Sequence, residues 1–151
     1  FGGWSADYMV RKTKNRTWYI WIPFVSTLIA IPFALNTFLL MPDGYITVYS
    51  YFIPTFFGGW YLAPCLAANH FLVGIRMRAM ASAILLFMLN LIGLGFGPML
   101  TGFVSDFLTP EFGNNGLRYA LSITILINVW CAFHYYCCLK TITKDFDRAP
   151  A

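Results

Sequence analysis

The stretch Asn90-Leu91-Ile92-Gly93-Leu94-Gly95-Phe96-Gly97-Pro98-Met99-Leu100-Thr101-Gly102 decides the fold class. It lies in an apolar run, Ala79 to Ser105, with no charged residue between Arg78 and Asp106. At about 1.5 Å of rise per residue, a helix of that length crosses a hydrocarbon core of roughly 30 Å. Gly93 and Gly97 fall four residues apart on one helical face, where small residues let another helix approach closely. Pro98 removes a backbone donor and predicts a bend, and the groups it frees need neighbouring helices or trapped water. Two readings of this face stand side by side, ordinary close packing and a moving element.

Working outward, the chain's 151 residues are 59% hydrophobic and only 11% charged, where a soluble domain carries about a quarter charged residues. This composition predicts an all-α polytopic membrane protein. Further apolar runs at about Thr17–Met41, Tyr45–Ile75 and Tyr119–Leu139 bring the expected number of crossings to four. Trp18, Tyr19 and Trp21 open the first as half an aromatic belt, and Pro32 predicts a bend in its middle. Pro42-Asp43-Gly44 reads as a tight turn. The second run is longer than one untilted crossing and contains Pro54, Gly58, Gly59 and Pro64, so it must tilt or break. Its Tyr49, Phe52, Phe56 and Trp60 form an aromatic stripe at three- and four-residue steps. Packing bulk is the commoner meaning of such a stripe, and a binding wall the sharper one. Phe1–Arg16 reads as a membrane-proximal basic loop, Thr109–Gly116 as a polar loop, and the residues after Leu139 as a charged tail.

The basic residues set the orientation. With four crossings, Arg11, Lys12, Lys14, Arg16, Arg76, Arg78, Lys140, Lys144 and Arg148 all fall on one side and Arg118 alone on the other. The positive-inside rule makes the first side cytoplasmic, in a plasma membrane, with a bacterial inner membrane expected. On that side the pattern Asn15-Arg16-Thr17 is no glycosylation acceptor. The net charge of +4 therefore reports topology and membrane lipids as partners, with no nucleic acid. Cys65, Cys131, Cys137 and Cys138 lie in or at the end of apolar runs without metal-ligand spacing and read as small buried hydrophobes. Palmitoylation of Cys137 or Cys138 is a lesser alternative. His70 reads as a headgroup-level side chain and His134 as a packed one. No nucleophile has a neighbouring base and no ligand cluster forms, so neither an enzyme, a metal nor a cofactor is expected.

Gly3-Trp4-Ser5-Ala6-Asp7-Tyr8-Met9-Val10-Arg11-Lys12 resembles the loop motif of the major facilitator superfamily: glycine, three residues, aspartate, three residues, arginine, then a basic residue. Gly93-x-x-x-Gly97-Pro98-x-x-Thr101-Gly102 is similar to that superfamily's glycine-proline motif. Arg76-Met77-Arg78-Ala79-Met80-Ala81-Ser82-Ala83, with Asn90–Gly93, Ser105-Asp106 and Leu117-Arg118-Tyr119-Ala120, resembles the spinster branch, especially its bacterial members. Where animal members of that branch carry a histidine, this chain has Asn90, which implies a hydrogen-bonding rather than a titrating role.

The resemblance implies the end of helix eight and a basic loop over residues 1–16, helices nine to twelve of a twelve-helix fold over 17–148, and a tail over 149–151. It implies a fragment whose partner is the missing N-terminal half of the same transporter. The expected activity is secondary or facilitative transport by alternating access, of an amphipathic lipid such as a lysophospholipid or of another small organic molecule. Tyr49, Phe52, Phe56, Trp60 and Asn90 become candidates for the substrate cavity. Gly3, Asp7, Arg11, Lys12, Arg76, Arg78, Gly93, Gly97 and Pro98 become candidates for gating, with Asp7 and Arg11 latching the cytoplasmic side. No Asp or Glu lies within the four runs, so any proton-coupling carboxylate is expected outside this chain. Drug or organic-ion efflux by the same superfamily, and a four-span assembly protein, are the alternatives.

Overall fold

The computed structural model describes residues 1–40 and 44–149, all of whose regular structure is helical. The expected turn at Pro42-Asp43-Gly44 lies mostly outside the described residues. The residues read as a basic loop at the start are instead a helix, α1 (Gly2–Thr13), whose carbonyls end at Lys14 in the left-handed conformation. Next comes α2 (Trp18–Leu39), which runs unbroken through both Pro23 and Pro32.

The second apolar run breaks where its glycines predict. α3 (Gly44–Gly58) gives way to a 3-10 turn, Gly59–Tyr61, before α4 (Leu62–Leu72). A second 3-10 turn, Ile75–Met77, leads into α5 (Arg78–Met88). The stretch Asn90–Gly102 is neither straight α-helix nor a simple kink: Leu89–Phe96 is π-helical and hands over to α6 (Gly97–Phe112) with Pro98 in its first turn. A widened turn is one way to accommodate a proline ring that would collide with the carbonyl four residues back. The expected polar loop after Asp106 shrinks to Gly113–Asn115, because the helix persists to Phe112. Gly116 then lies close against Ser105 and Thr109, leaving little room for a side chain. The charged tail is also corrected: α7 (Gly116–Arg148) carries it as helix and buries Ile142 and Phe146.

α2 packs on α3, α4 and α7; α6 packs on α7, and α5 meets α4. The best-packed region is at one end, where Ala6, Tyr19, Ile20, Ala68, Ile142 and Phe146 from α1, α2, α4 and α7 form a buried cluster. Arg16 stacks over Phe71 beside it, 4.7 Å from the ring centre. Elsewhere large apolar side chains face outward, among them Tyr45, Leu94, Phe103 and Phe107. Such surfaces need lipid or further helices to cover them. α2, and the helical run Ile75–Arg148, are long and apolar enough to cross a membrane. At 15 and 11 residues, α3 and α4 are each shorter than one crossing.

Candidate functional site

The structure keeps the aromatic stripe together. Phe52 stacks on Phe56 at 5.9 Å, and Phe56 meets Trp60 edge-on at 5.4 Å, where the helix breaks. Phe1 adds a further ring 5.5 Å from Phe56. Tyr49 and Phe52 are 79% and 68% exposed, whereas Phe56 and Trp60 are half-buried where the start of the chain packs on the helix break. Asn90 is exposed and donates to the Leu86 carbonyl of its own helix at 2.7 Å, just where the α ladder changes to π. That bond employs one of the two amide protons of Asn90.

The opposite face of α3 lines something the sequence did not signal. An apolar cavity of about 880 Å³ lies among α2, α3, α4, the α5–π segment and α7. Its wall carries no charged side chain; Thr55, Tyr61, Thr124, Asn128 and Tyr135 supply polar atoms. Cys65 and Cys131 also line it, with the Cys65 thiol 3.6 Å from the Tyr135 hydroxyl. Asn128 and the two cysteines lie in apolar runs, and periodicity alone does not tell an inward polar residue from an outward one.

Of the gating candidates, Gly3, Asp7, Arg11 and Lys12 all lie on α1. Tyr19 donates its hydroxyl proton to the Asp7 carboxylate at 2.8 Å, so α2 holds the motif's acid. Arg11 reaches back to the Asp7 carbonyl at 3.4 Å instead of to its carboxylate. Arg76 and Arg78 stay exposed on the turn between α4 and α5, at the same end of the bundle. Just before and after that turn, His70 Nε2 and the Ser82 hydroxyl share a 2.5 Å hydrogen bond that ties α4 to α5.

Gly3 holds the glycine position of the motif, yet the closer approach is at Gly2. A Cβ on Gly2 would run into the Trp60 backbone, whereas one on Gly3 would meet the Ala63 Cβ at 3.0 Å. α1 therefore presses its small face on the break between α3 and α4. Gly93 and Gly97 behave oppositely: nothing lies within 4 Å of a Cβ placed on either. The helix approach expected on that face is not made within this chain. Thr101 of the same motif does find a partner, the Thr124 hydroxyl of α7 at 3.0 Å.

Arg118, read only as the lone charge on its side, has a structural task. Its guanidinium donates to the Phe38 carbonyl at 3.1 Å and the Leu39 carbonyl at 3.4 Å, the last carbonyls of α2. A fixed cation there complements the negative end of the helix dipole and satisfies orphaned acceptors.

Comparison with known proteins adds the family. Over 123 residues, 82% of this chain, the sequence is 34% identical to a protein of Mycolicibacterium smegmatis (strain ATCC 700084 / mc(2)155) named as an MFS-type efflux pump. The chain resembles a major facilitator superfamily protein. It spans 28% of that relative's length. The likeness supports a multi-pass plasma-membrane protein of this superfamily, in keeping with the all-helical fold. No protein-family model and no solved structure matches the sequence.

Proposed function

We propose that this chain forms part of the C-terminal half of a major facilitator transporter that exports a lipophilic or amphipathic small organic molecule by alternating access. The likeness to the mycobacterial efflux pump over most of the chain carries the reading. Helices apolar on nearly every face agree with it, as does the α1 motif with its glycine, aspartate and arginine in register. The chain then contributes four crossings: α2, the broken α3–α4 helix, the α5–π–α6 helix and α7. The remaining spans, including an N-terminal half, complete the cavity and supply any coupling carboxylate. Transport needs no cofactor, metal or enzymatic step from these residues.

In this account Tyr49, Phe52, Phe56 and Trp60 form one wall of the substrate path, and Asn90 offers a hydrogen bond beside it. Asp7, held by Tyr19, latches the cytoplasmic side with Arg11 and Lys12, while Arg76 and Arg78 meet anionic headgroups. Gly93, Gly97 and Pro98, on a face open within this chain, allow the α5–π–α6 helix to pack against the other half and to shift.

The spinster-like pattern from Arg76 to Ala120 supports a second reading of the substrate, a lysophospholipid-like lipid. Export of a neutral lipophilic dye by cells expressing the complete coding sequence tests the first reading, and competition by a lysophospholipid distinguishes the second. Phe56→Ala with Trp60→Ala should lower export at least tenfold. Unchanged export in the double variant would remove the aromatic wall from the account.

A further inference from the structure

We propose that Phe71 is the positioning residue of the cytoplasmic latch: its ring transmits the docking of the last turns of α7 to Tyr19, and through Tyr19 to the Asp7 carboxylate. The latch itself rests on the transporter reading, whereas the contacts that place Asp7 lie wholly within this chain.

α7 is longer than a crossing requires. Its 33 residues extend about 50 Å against roughly 30 Å of hydrocarbon, and the surplus is the polar stretch from Lys140 to Arg148. Helical turns in water owe most of their stability to a packed apolar face. Here Ile142 and Phe146, four residues apart on one face, are 3% and 9% exposed. They join Ala6 of α1, Tyr19 and Ile20 of α2 and Ala68 of α4 in the buried cluster. Lys140, Lys144 and Arg148 occupy the other face, in solvent. The end of α7 is therefore docked on the three helices that carry and hold the Asp7 motif.

Phe71 stands where these elements meet. The Phe146 ring approaches it edge-on at 6.4 Å, Tyr19 packs on it at 5.4 Å, and the Arg16 guanidinium lies 4.7 Å from its centre. Edge-on and cation contacts are directional, so they fix the orientation of the ring as well as filling space. The end of α4 is held from another side too, because His70, the neighbour of Phe71, shares its hydrogen bond with Ser82 of α5. One step then leads to the latch. Arg11 turns to the Asp7 carbonyl, so the Tyr19 hydroxyl is what holds the carboxylate, at 2.8 Å. A hydrogen bond of that length is lost when its partners part by about 1 Å. The Tyr19 ring needs a firm backing to keep its hydroxyl within that tolerance, and Phe71 supplies it.

The test uses the complete protein with its native cysteines replaced, and two readouts. Spin labels on Thr13→Cys of α1 and Lys144→Cys of α7, both exposed positions, report by electron–electron distance measurement how the two helices sit, whether or not the protein transports. Alkylation of a single cysteine engineered into the cytoplasmic cavity reports the latch. Phe71→Leu keeps apolar bulk and loses the ring; it should broaden a narrow wild-type distance and raise alkylation about two- to tenfold, the worth of an aromatic contact in a two-state equilibrium. Ile142→Ala with Phe146→Ala should do the same. Phe71→Tyr keeps the ring and should restore both readouts, and Phe71→Leu should add nothing to the alkylation of an Asp7→Asn protein, because it acts through Asp7. A distance as narrow in Phe71→Leu as in wild type, or a further rise in alkylation on top of Asp7→Asn, would overturn the proposal. Should Asp7→Asn itself leave alkylation unchanged, the latch reading fails, and the distances alone decide: a change in Phe71→Leu supports the positioning of α1 by Phe71, and none overturns it.

Discussion

Alanine at Gly2 is the sharpest test of how α1 meets the helix break. A Cβ there would stand 2.7 Å from the Trp60 Cα and 2.8 Å from its carbonyl carbon, and closer still to its carbonyl oxygen. Carbon atoms prefer about 3.5–4.0 Å, so α1 must retreat by about 1 Å, and no rotamer change relieves a clash with backbone. Overpacking of this kind costs about 1–3 kcal/mol. Alanine regains up to about 1 kcal/mol of helix propensity, less at a helix end, which leaves a net loss of about 1–2 kcal/mol. Gly3→Ala meets only the Ala63 Cβ at 3.0 Å. A shift of a few tenths of an ångström suffices there, and the propensity gain offsets it to within about 0.5 kcal/mol. The assay is unfolding of the purified complete protein by titration from mild detergent into SDS. Gly2→Ala should unfold well before wild type and Gly3→Ala close to it. The reverse order, or a Gly2→Ala variant as stable as wild type, would refute the close contact between α1 and Trp60.

Three further expectations follow from named hydrogen bonds. Tyr19→Phe frees the Asp7 carboxylate and removes a bond to a charged group, of about 1.5–3 kcal/mol before its exposure to solvent discounts it; accessibility of engineered cytoplasmic-side cysteines should rise, and Asp7→Asn should raise it likewise, whereas an unchanged pattern in Tyr19→Phe would free Tyr19 from the latch. Arg118→Met uncovers the last carbonyls of α2 and should destabilise the protein by about 1–2 kcal/mol, with Arg118→Lys recovering only part because it lacks the planar fork; full recovery in SDS unfolding would mean that charge alone matters. A double-mutant cycle of Thr101→Val and Thr124→Val should give a coupling of about 0.6 kcal/mol, the usual worth of an interhelical bond in a membrane protein; zero coupling would separate α6 from α7 at this point.

Much of the fold was legible because hydrophobicity, glycine and proline act locally. The break at Gly58-Gly59 and the helices from α2 to α7 follow from such signals. The π-helical stretch was not legible, because the sequence showed a proline but not which repair the helix would adopt around it. The end of α6 and the C-terminal turns of α7 were missed, and α1 was expected only through the family resemblance, for the opposite reason: polar surface residues hid buried ones, Ala6 in α1 and Ile142 and Phe146 in α7. The candidate site was half visible. The stripe from Phe52 to Trp60 is continuous as its spacing implied, and the Asp7 motif lies on one helix. Tyr19 as the partner of Asp7, Arg118 as the cap of α2 and Gly2 as the tight contact depend on residues 12, about 80 and 58 positions away, and periodicity carries no information across such distances.

Transport itself remains the decisive property. The protein expressed from its complete coding sequence, reconstituted in proteoliposomes, should move a neutral lipophilic dye saturably across the bilayer, with Phe56→Ala/Trp60→Ala at least tenfold slower. Dye movement no faster than in protein-free liposomes, with the protein inserted and folded and across both neutral dyes and lysophospholipids, would contradict the transporter account.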